Sequence, residues 1–246
     1  MHSGPVLLVI AHGSRDPRHA ATVHALVRRV RALRPGLRVE TGFLDFNVPS
    51  VRGVLESLAA EGVRDVVALP LLLTRAFHAK SDIPAVLRQA PPGLRIRQAE
   101  VLGPSPLLLA GLERRLYEAG LDPADKSSTG VVLASAGSSD PEAIAVIADI
   151  AREWRHTGWC AVRPAFASAA LPRTEDAVRE LRAAGCRRVA VAPYVLAPGR
   201  LPDRIVRSAA EADVLAGVLG PSREVALTLL RRYDEAGLPR LSALGA

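Results

Sequence analysis

The chain matches itself at an offset of about 120 residues, and this self-similarity constrains its architecture more than any single motif. AHGSRDP (11–17) corresponds to SAGSSDP (135–141), FLDFNVPSV (43–51) to FASAALPRT (166–174), VVALPLLL (66–73) to VAVAPYVL (189–196), and VLGPSPLLLAGLERRL (101–116) to VLGPSREVALTLLRRY (218–233). Four matches in the same order mark a duplication. The polar, turn-forming stretch LDPADKSSTG (121–130) separates the copies, so two domains are expected, 1–123 and 129–246.

Each copy alternates short apolar runs with stretches whose apolar residues are spaced helically. In the first, the pattern predicts strands at 6–11, 38–43, 65–72 and 95–101, and helices at 17–34, 50–61, 82–90 and 105–119. In the second, strands are expected near 130–135, 160–166, 188–195 and 213–219. Asp16-Pro17 and Ser50 are suited to helix starts. Right-handed crossovers between parallel strands place helices on both faces of a sheet. The expected fold is α/β, with two tandem flavodoxin-like lobes, each holding a parallel sheet, facing across a central cleft.

Composition narrows the functional classes. Hydrophobic residues make up 49% of the chain and aromatics 4%, which implies aliphatic walls rather than stacking platforms. No apolar run reaches membrane-spanning length, and the start MHSGPVLLVIAHG lacks a basic leader, so no membrane association and a cytoplasmic location are expected. Cys160 and Cys186 lack the close spacing of a metal knuckle or redox pair and are read as buried, reduced and structural. The net charge of +7 favours an anionic partner. Nucleic acid is disfavoured, because the arginines are scattered over helices and no interleaved aromatic platform is visible.

Parallel α/β sheets bind ligands at their carboxyl edge. In a strand order 2-1-3-4, the loops after strands 1, 2 and 3 converge there, and they carry His12, Asp45 and His78. Two neutral imidazoles and a carboxylate suit Fe²⁺, Co²⁺, Ni²⁺ or Zn²⁺, and the same groups can move protons near neutral pH. Gly13 and Ser14 either form an anion-binding turn at the following helix start or only cap that helix. His2, His19, His24 and His156 are read as surface or packing residues. The dinucleotide, P-loop, zincin and nucleophile-elbow motifs are missing, and Ala11 stands where a phosphohistidine phosphatase has arginine.

At AHGSRDP, FLDFNVPSV, VVALPLLL with HAKSDIP, and LGPSP, the sequence resembles the class II sirohydrochlorin chelatases of the cobalt and iron branches of tetrapyrrole synthesis. The resemblance spans most of 6–116, and the second half resembles the degenerate copy of the long, two-lobed members. It implies that His12 and His78 bind the metal and assist its insertion. Asp45 falls where such proteins carry glutamate, and Phe77 replaces a small residue. In the second half Ala136 stands for His12, Ala167 or Ser168 for the acidic position, and GRLPDRI (199–205) aligns with FHAKSDI without a histidine. One catalytic lobe and one lid follow. The implied substrate is sirohydrochlorin or a related polycarboxylate tetrapyrrole, its acetate and propionate arms met by Arg15, Arg75 and Lys80, with Arg200 and Arg204 as a clamp from the second lobe. No tightly bound cofactor and no ATP are expected. Fe²⁺ or Co²⁺, with Ni²⁺ also admissible, would be a substrate, in siroheme or cobalamin synthesis, and the duplication favours a monomer. The alternatives are a non-catalytic tetrapyrrole or metal carrier, and a lyase or hydrolase using His12 and Asp45 as acid and base.

Overall fold

VLLVIA is apolar at every position because the strand it forms, β1 (Val6–Ala11), is covered on both faces. It opens a regular alternation: α1 (Pro17–Leu33), β2 (Val39–Phe43), α2 (Val51–Ala60), β3 (Asp65–Pro70), α3 (Ile83–Leu87), β4 (Arg95–Gln98) and α4 (Pro106–Glu118). After a short 3-10 turn (Pro123–Ser128), the second copy gives β5 (Thr129–Ser135), α5 (Pro141–Arg155), β6 (Ala161–Phe166), α6 (Thr174–Ala183), β7 (Arg188–Tyr194), α7 (Arg200–Ser208), β8 (Val214–Leu215) and α8 (Arg223–Gly237). This computed structural model describes residues 4–75 and 81–237. Two four-stranded parallel sheets result, ordered β2-β1-β3-β4 and β6-β5-β7-β8, which is the order expected from the sequence.

The helix starts follow local chemistry. Asp16 accepts a hydrogen bond from the Arg18 amide at 2.9 Å, and Pro17 occupies a first-turn position that needs no donor. Asp140 and Pro141 repeat this device at α5, with the Glu142 amide 3.0 Å from Asp140. Ser50 caps α2 through the Gly53 amide at 3.1 Å. The edge strands are shorter than expected. β4 ends at Gln98 and β8 at Leu215, and beyond them the ladder continues only as separate bonds, Ala99 N–H to Ala68 O at 2.8 Å and Ala216 N–H to Val191 O at 2.9 Å.

Three hydrophobic cores hold the molecule. Val6, Leu8 and Ile10 point to one face of the first sheet and pack with Leu55 and Leu58 of α2. An equivalent outer core in the second lobe joins Val132 and Ala134 to Val178 and Leu181 of α6. The alternate residues Leu7, Val9 and Ala11 point inward, into a central core shared with Val131 and Leu133 of β5.

That central core is built by an exchange. The last helix of the first copy, α4, packs on β7 of the second sheet, and the last helix of the second copy, α8, packs on β3, β4 and α1 of the first. The exchanged helices also pack on each other. Leu108, Leu112 and Leu116 of α4 and Val225 and Leu229 of α8 have no exposed surface. Polar contacts tie the crossing down: Tyr233 donates to Pro5 O at 2.7 Å, Arg34 pairs with Asp234 through Nη2 at 2.8 Å, and Arg114 pairs with Glu224 at 2.9 Å. The sequence repeats and the packed layers thus differ by one helix each.

Among the described residues, no helix is long and apolar enough to cross a membrane. The expectation that both cysteines are buried holds for Cys186 and fails for Cys160, which is exposed. Nor does their sequence separation keep them apart, since their sulfurs lie 3.6 Å from each other.

Candidate functional site

His12 is the first residue past β1, and the loop after β2 is locked against it. The Leu44 amide donates to Ala11 O at 3.0 Å and the Asp45 amide to His12 O at 2.9 Å. This approach leaves no room for a side chain at position 13: a Cβ on Gly13 would lie 1.8 Å from Asp45 O, and the backbone there has φ +94°. Asn47 fixes the next residue by accepting from the Ser14 amide at 2.8 Å, and Ser14 Oγ accepts from the Asp16 amide at 3.0 Å. Gly13 thus shapes the turn, and Ser14 takes part in it and in the start of α1.

The half-buried His12 ring places Nδ1 3.2 Å from Gly13 O. A carbonyl can only accept, so this contact is a hydrogen bond in the tautomer that carries the proton on Nδ1. Phe46 is half exposed, its ring 6.3 Å from the His12 ring and 5.2 Å from the Arg15 guanidinium.

Asp45 is brought beside His12 through its backbone. Its exposed carboxylate accepts from the Phe46 amide at 2.8 Å, the ordinary work of a turn aspartate. Arg75 is exposed and its Nε donates to Glu100 at 2.8 Å. Arg200 and Arg204 are exposed in the first turns of α7, across the cleft. That helix faces the start of α1, because Arg18 donates at 2.6 Å to Asp203 as well as to Asp16. His78, with Phe77 and Lys80, lies outside the described residues. Among the described residues, no three histidine, cysteine, aspartate or glutamate side chains cluster to hold a metal.

Between the lobes lies a cavity of about 350 Å³ walled by His12, His19 and Leu26 on one side and Val195, Leu196 and Leu201 on the other. His19, read from sequence as a packing or surface residue, is thus a wall of the cleft. Its Nδ1 is buried without a hydrogen-bond partner among the described residues, and burial, reinforced by the neighbouring His12, holds its pKa below the usual histidine value. Further along α1, His24 is exposed, its ring set edge-on to Phe43 at 5.7 Å. His19 carries no sequence signal of its place in the cleft wall, since that depends on which surface the opposite lobe covers.

A second cavity of about 260 Å³ adjoins the first, sharing Leu71, Leu72, Ala136, Val195 and Leu196 with it. It is the repeat-related counterpart, formed by the end of β5 and the inner face of α5. Where the first has His12 and His19, it has Ala136 and Ala143. Tyr194, the repeat counterpart of Leu71, lines it as well, with a buried hydroxyl that lacks a hydrogen-bond partner among the described residues.

The CbiX family model matches this chain over residues 6–119 and again over 130–236. The chain is 30% identical over 206 residues to the sirohydrochlorin cobaltochelatase of Priestia megaterium, a match covering 81% of this chain and 66% of that relative's length. It is 27% identical over 224 residues to the sirohydrochlorin ferrochelatase of the same organism, covering 87% and 84%. Among solved structures, SirB from Bacillus subtilis with Fe³⁺ superposes with a TM-score of 0.81 at 24% identity, over 95% of this chain and 96% of that one.

Proposed function

The chain belongs to the CbiX family, and from that premise we propose that it inserts a divalent metal ion, Fe²⁺ or Co²⁺, into sirohydrochlorin without ATP, in siroheme or cobalamin synthesis. The observation that carries this reading is the placement of His12. A rigid glycine turn holds it at the carboxyl edge of β1, its ring on the wall of an otherwise largely aliphatic cleft between two lobes.

Metallation requires a donor that holds the ion over the ring and a base that accepts the two pyrrole protons it displaces. His12, on the cleft wall beside the Asp45 loop, supplies an imidazole suited to either task. His78 is assigned as the second metal-binding imidazole. Asp45, its carboxylate turned to its own loop, contributes charge near the ion rather than a coordinate bond. Aliphatic side chains of both lobes, Leu71, Leu72, Val195 and Leu196, suit the faces of a flat macrocycle. Arg15, Arg75, Lys80, Arg200 and Arg204 supply positive charge for its carboxylate arms. The exchanged helices complete both lobes within one chain, which supports a monomer.

The test is anaerobic absorbance spectroscopy of sirohydrochlorin with Fe²⁺ or Co²⁺, comparing initial rates with and without protein. Acceleration that disappears in His12→Ala is expected. Normal turnover in His12→Ala would overturn the role of His12, and a spectral change without acceleration would make the protein a carrier.

A further inference from the structure

Cys160 leads into β6 and Cys186 leads toward β7, and these strands lie on opposite sides of β5. Strands separated by a third are about 10 Å apart, a span that two cysteine side chains do not normally bridge. Here the two sulfurs are 3.6 Å apart. Gly130 makes this possible. It pairs with Ala161 on one side and Val189 on the other, and a Cβ at Gly130 would lie 2.7 Å from the Cys186 sulfur. The glycine opens a window in β5 through which the thiols meet. In the first copy the matching positions are Val6, Leu37 and Val63. There Val6 fills the window, Leu37 belongs to the central core and Val63 packs against the outer one.

The two thiols differ in environment. Cys160 is exposed. Burial, together with the contact to Cys160, pushes the Cys186 thiol up to about 11, although Arg163 acts in the opposite sense. The exposed residue can meet a dissolved oxidant, while its neighbour is kept as a protonated thiol at close range.

We propose that Cys160 and Cys186 form a peroxide-responsive dithiol that closes to an intramolecular disulfide, bracing the base of the second lobe. The Cys160 thiolate attacks one oxygen of hydrogen peroxide. The O–O bond breaks, a sulfenic acid forms on Cys160, and hydroxide leaves and becomes water with the proton that the Cys160 thiol gave up on ionising. The Cys186 sulfur then attacks the Cys160 sulfur, the S–O bond breaks, and the released hydroxide takes the Cys186 proton. Two thiols have been oxidised, one peroxide reduced and two waters formed. The pair lies at the amino edge of the sheet, opposite the cleft, so closure ties the lead-ins of β6 and β7 together across β5 without touching His12.

The test treats the reduced full-length protein with stoichiometric hydrogen peroxide, then counts thiols after denaturation and measures the intact mass. Both thiols should be lost together with a mass decrease of two hydrogens. Dithiothreitol should restore them, and the oxidised protein should melt a few degrees higher. Cys186→Ser should accumulate a dimedone-reactive sulfenic acid on Cys160, whereas Cys160→Ser should leave Cys186 reduced. Because these variants do not disturb Gly130, they keep the test valid if Gly130→Val, expected to block closure, fails to fold. Oxygen added to Cys160 with Cys186 still free, or a disulfide-linked dimer, would overturn the proposal, and an unchanged melting temperature on closure would overturn the bracing role.

Discussion

The two lobes carry the same frame and different side chains, and the comparison separates what AHGSRDP does for folding from what it does for chemistry. A Cβ at Gly137 would lie 1.9 Å from Ser168 O, matching the 1.8 Å from Gly13 to Asp45 O. Phe46 and Ala169 both have φ +61°, and Val48-Pro49 and Leu171-Pro172 are both cis. Ser14 and Ser138 each cap an aspartate amide at 3.0 Å. All of this survives in a copy that has alanine in place of both His12 and His19. The glycine, serine and Asp-Pro of the motif are therefore requirements of the turn. The His12 and Arg15 side chains are in excess of them, since the second copy has Ala136 and Ser139 at those positions, and the proposed role of His12 is tested against that difference.

The largest expected effect that tests this division comes from His12→Ala, which should lower the insertion rate by about 100-fold or more while leaving the melting temperature nearly unchanged. Ala136→His, the reciprocal change, should create no second activity, because its pocket lacks a counterpart to His78. Equal rates for wild type and His12→Ala would erase the distinction between the lobes. Next come the turns themselves. Gly13→Ala and Gly137→Ala should each destabilise by about 3 kcal/mol or more, since the loop facing each glycine must move. Chemical denaturation should show similar losses for the pair, and only Gly13→Ala should also lose activity per folded molecule.

The shared core predicts that the lobes cannot be melted separately. Leu112→Ala in α4 and Leu229→Ala in α8 should each cost about 2–5 kcal/mol and shift one cooperative transition. Two resolved transitions, with each variant moving a different one, would contradict the exchange. A smaller effect distinguishes His19 from Ala143. The folded protein holds His19 below its ordinary value of 6.5, so the unfolded chain binds the proton more readily. Stability is undiminished above 6.5 and falls as pH drops through the window between that value and the lower folded one. His19→Gln should flatten this part of a melting-temperature profile, and an unchanged slope would remove His19 as its source. Smallest of all, added salt should raise the KM for the tetrapyrrole a few-fold as its carboxylate contacts are screened, and Arg200→Ala should blunt that response.

Much of this was legible in the sequence because it is set locally. The strand order follows from the crossover rule once the repeat is seen, and the starts of α1 and α2 follow from Asp16-Pro17 and Ser50. His12 is legible as a candidate because it directly follows a strand at the edge where such sheets bind ligands. What escaped was set by pairing across the molecule. Helical spacing shows that α4 has an apolar face but not which sheet receives it. His19 occupies an ordinary amphipathic position, and it belongs to the cleft only because the second lobe stands opposite. The cysteines are 26 residues apart in sequence, and their contact depends on a missing side chain in a third strand. Asp45 shows the converse, a residue correctly placed beside His12 whose carboxylate the local turn had already claimed.

The exchanged helices bear on how such a pair can diverge. A single copy that gives its last helix to a neighbour would have to associate with an identical chain, and every substitution would then appear in both pockets of the dimer. Joining the copies through residues 119–129 keeps the reciprocal packing but ends that enforced identity. One pocket can hold the imidazoles while the other becomes a smooth wall, so covalent fusion is what allows the molecule to be symmetric in its scaffold and asymmetric in its chemistry.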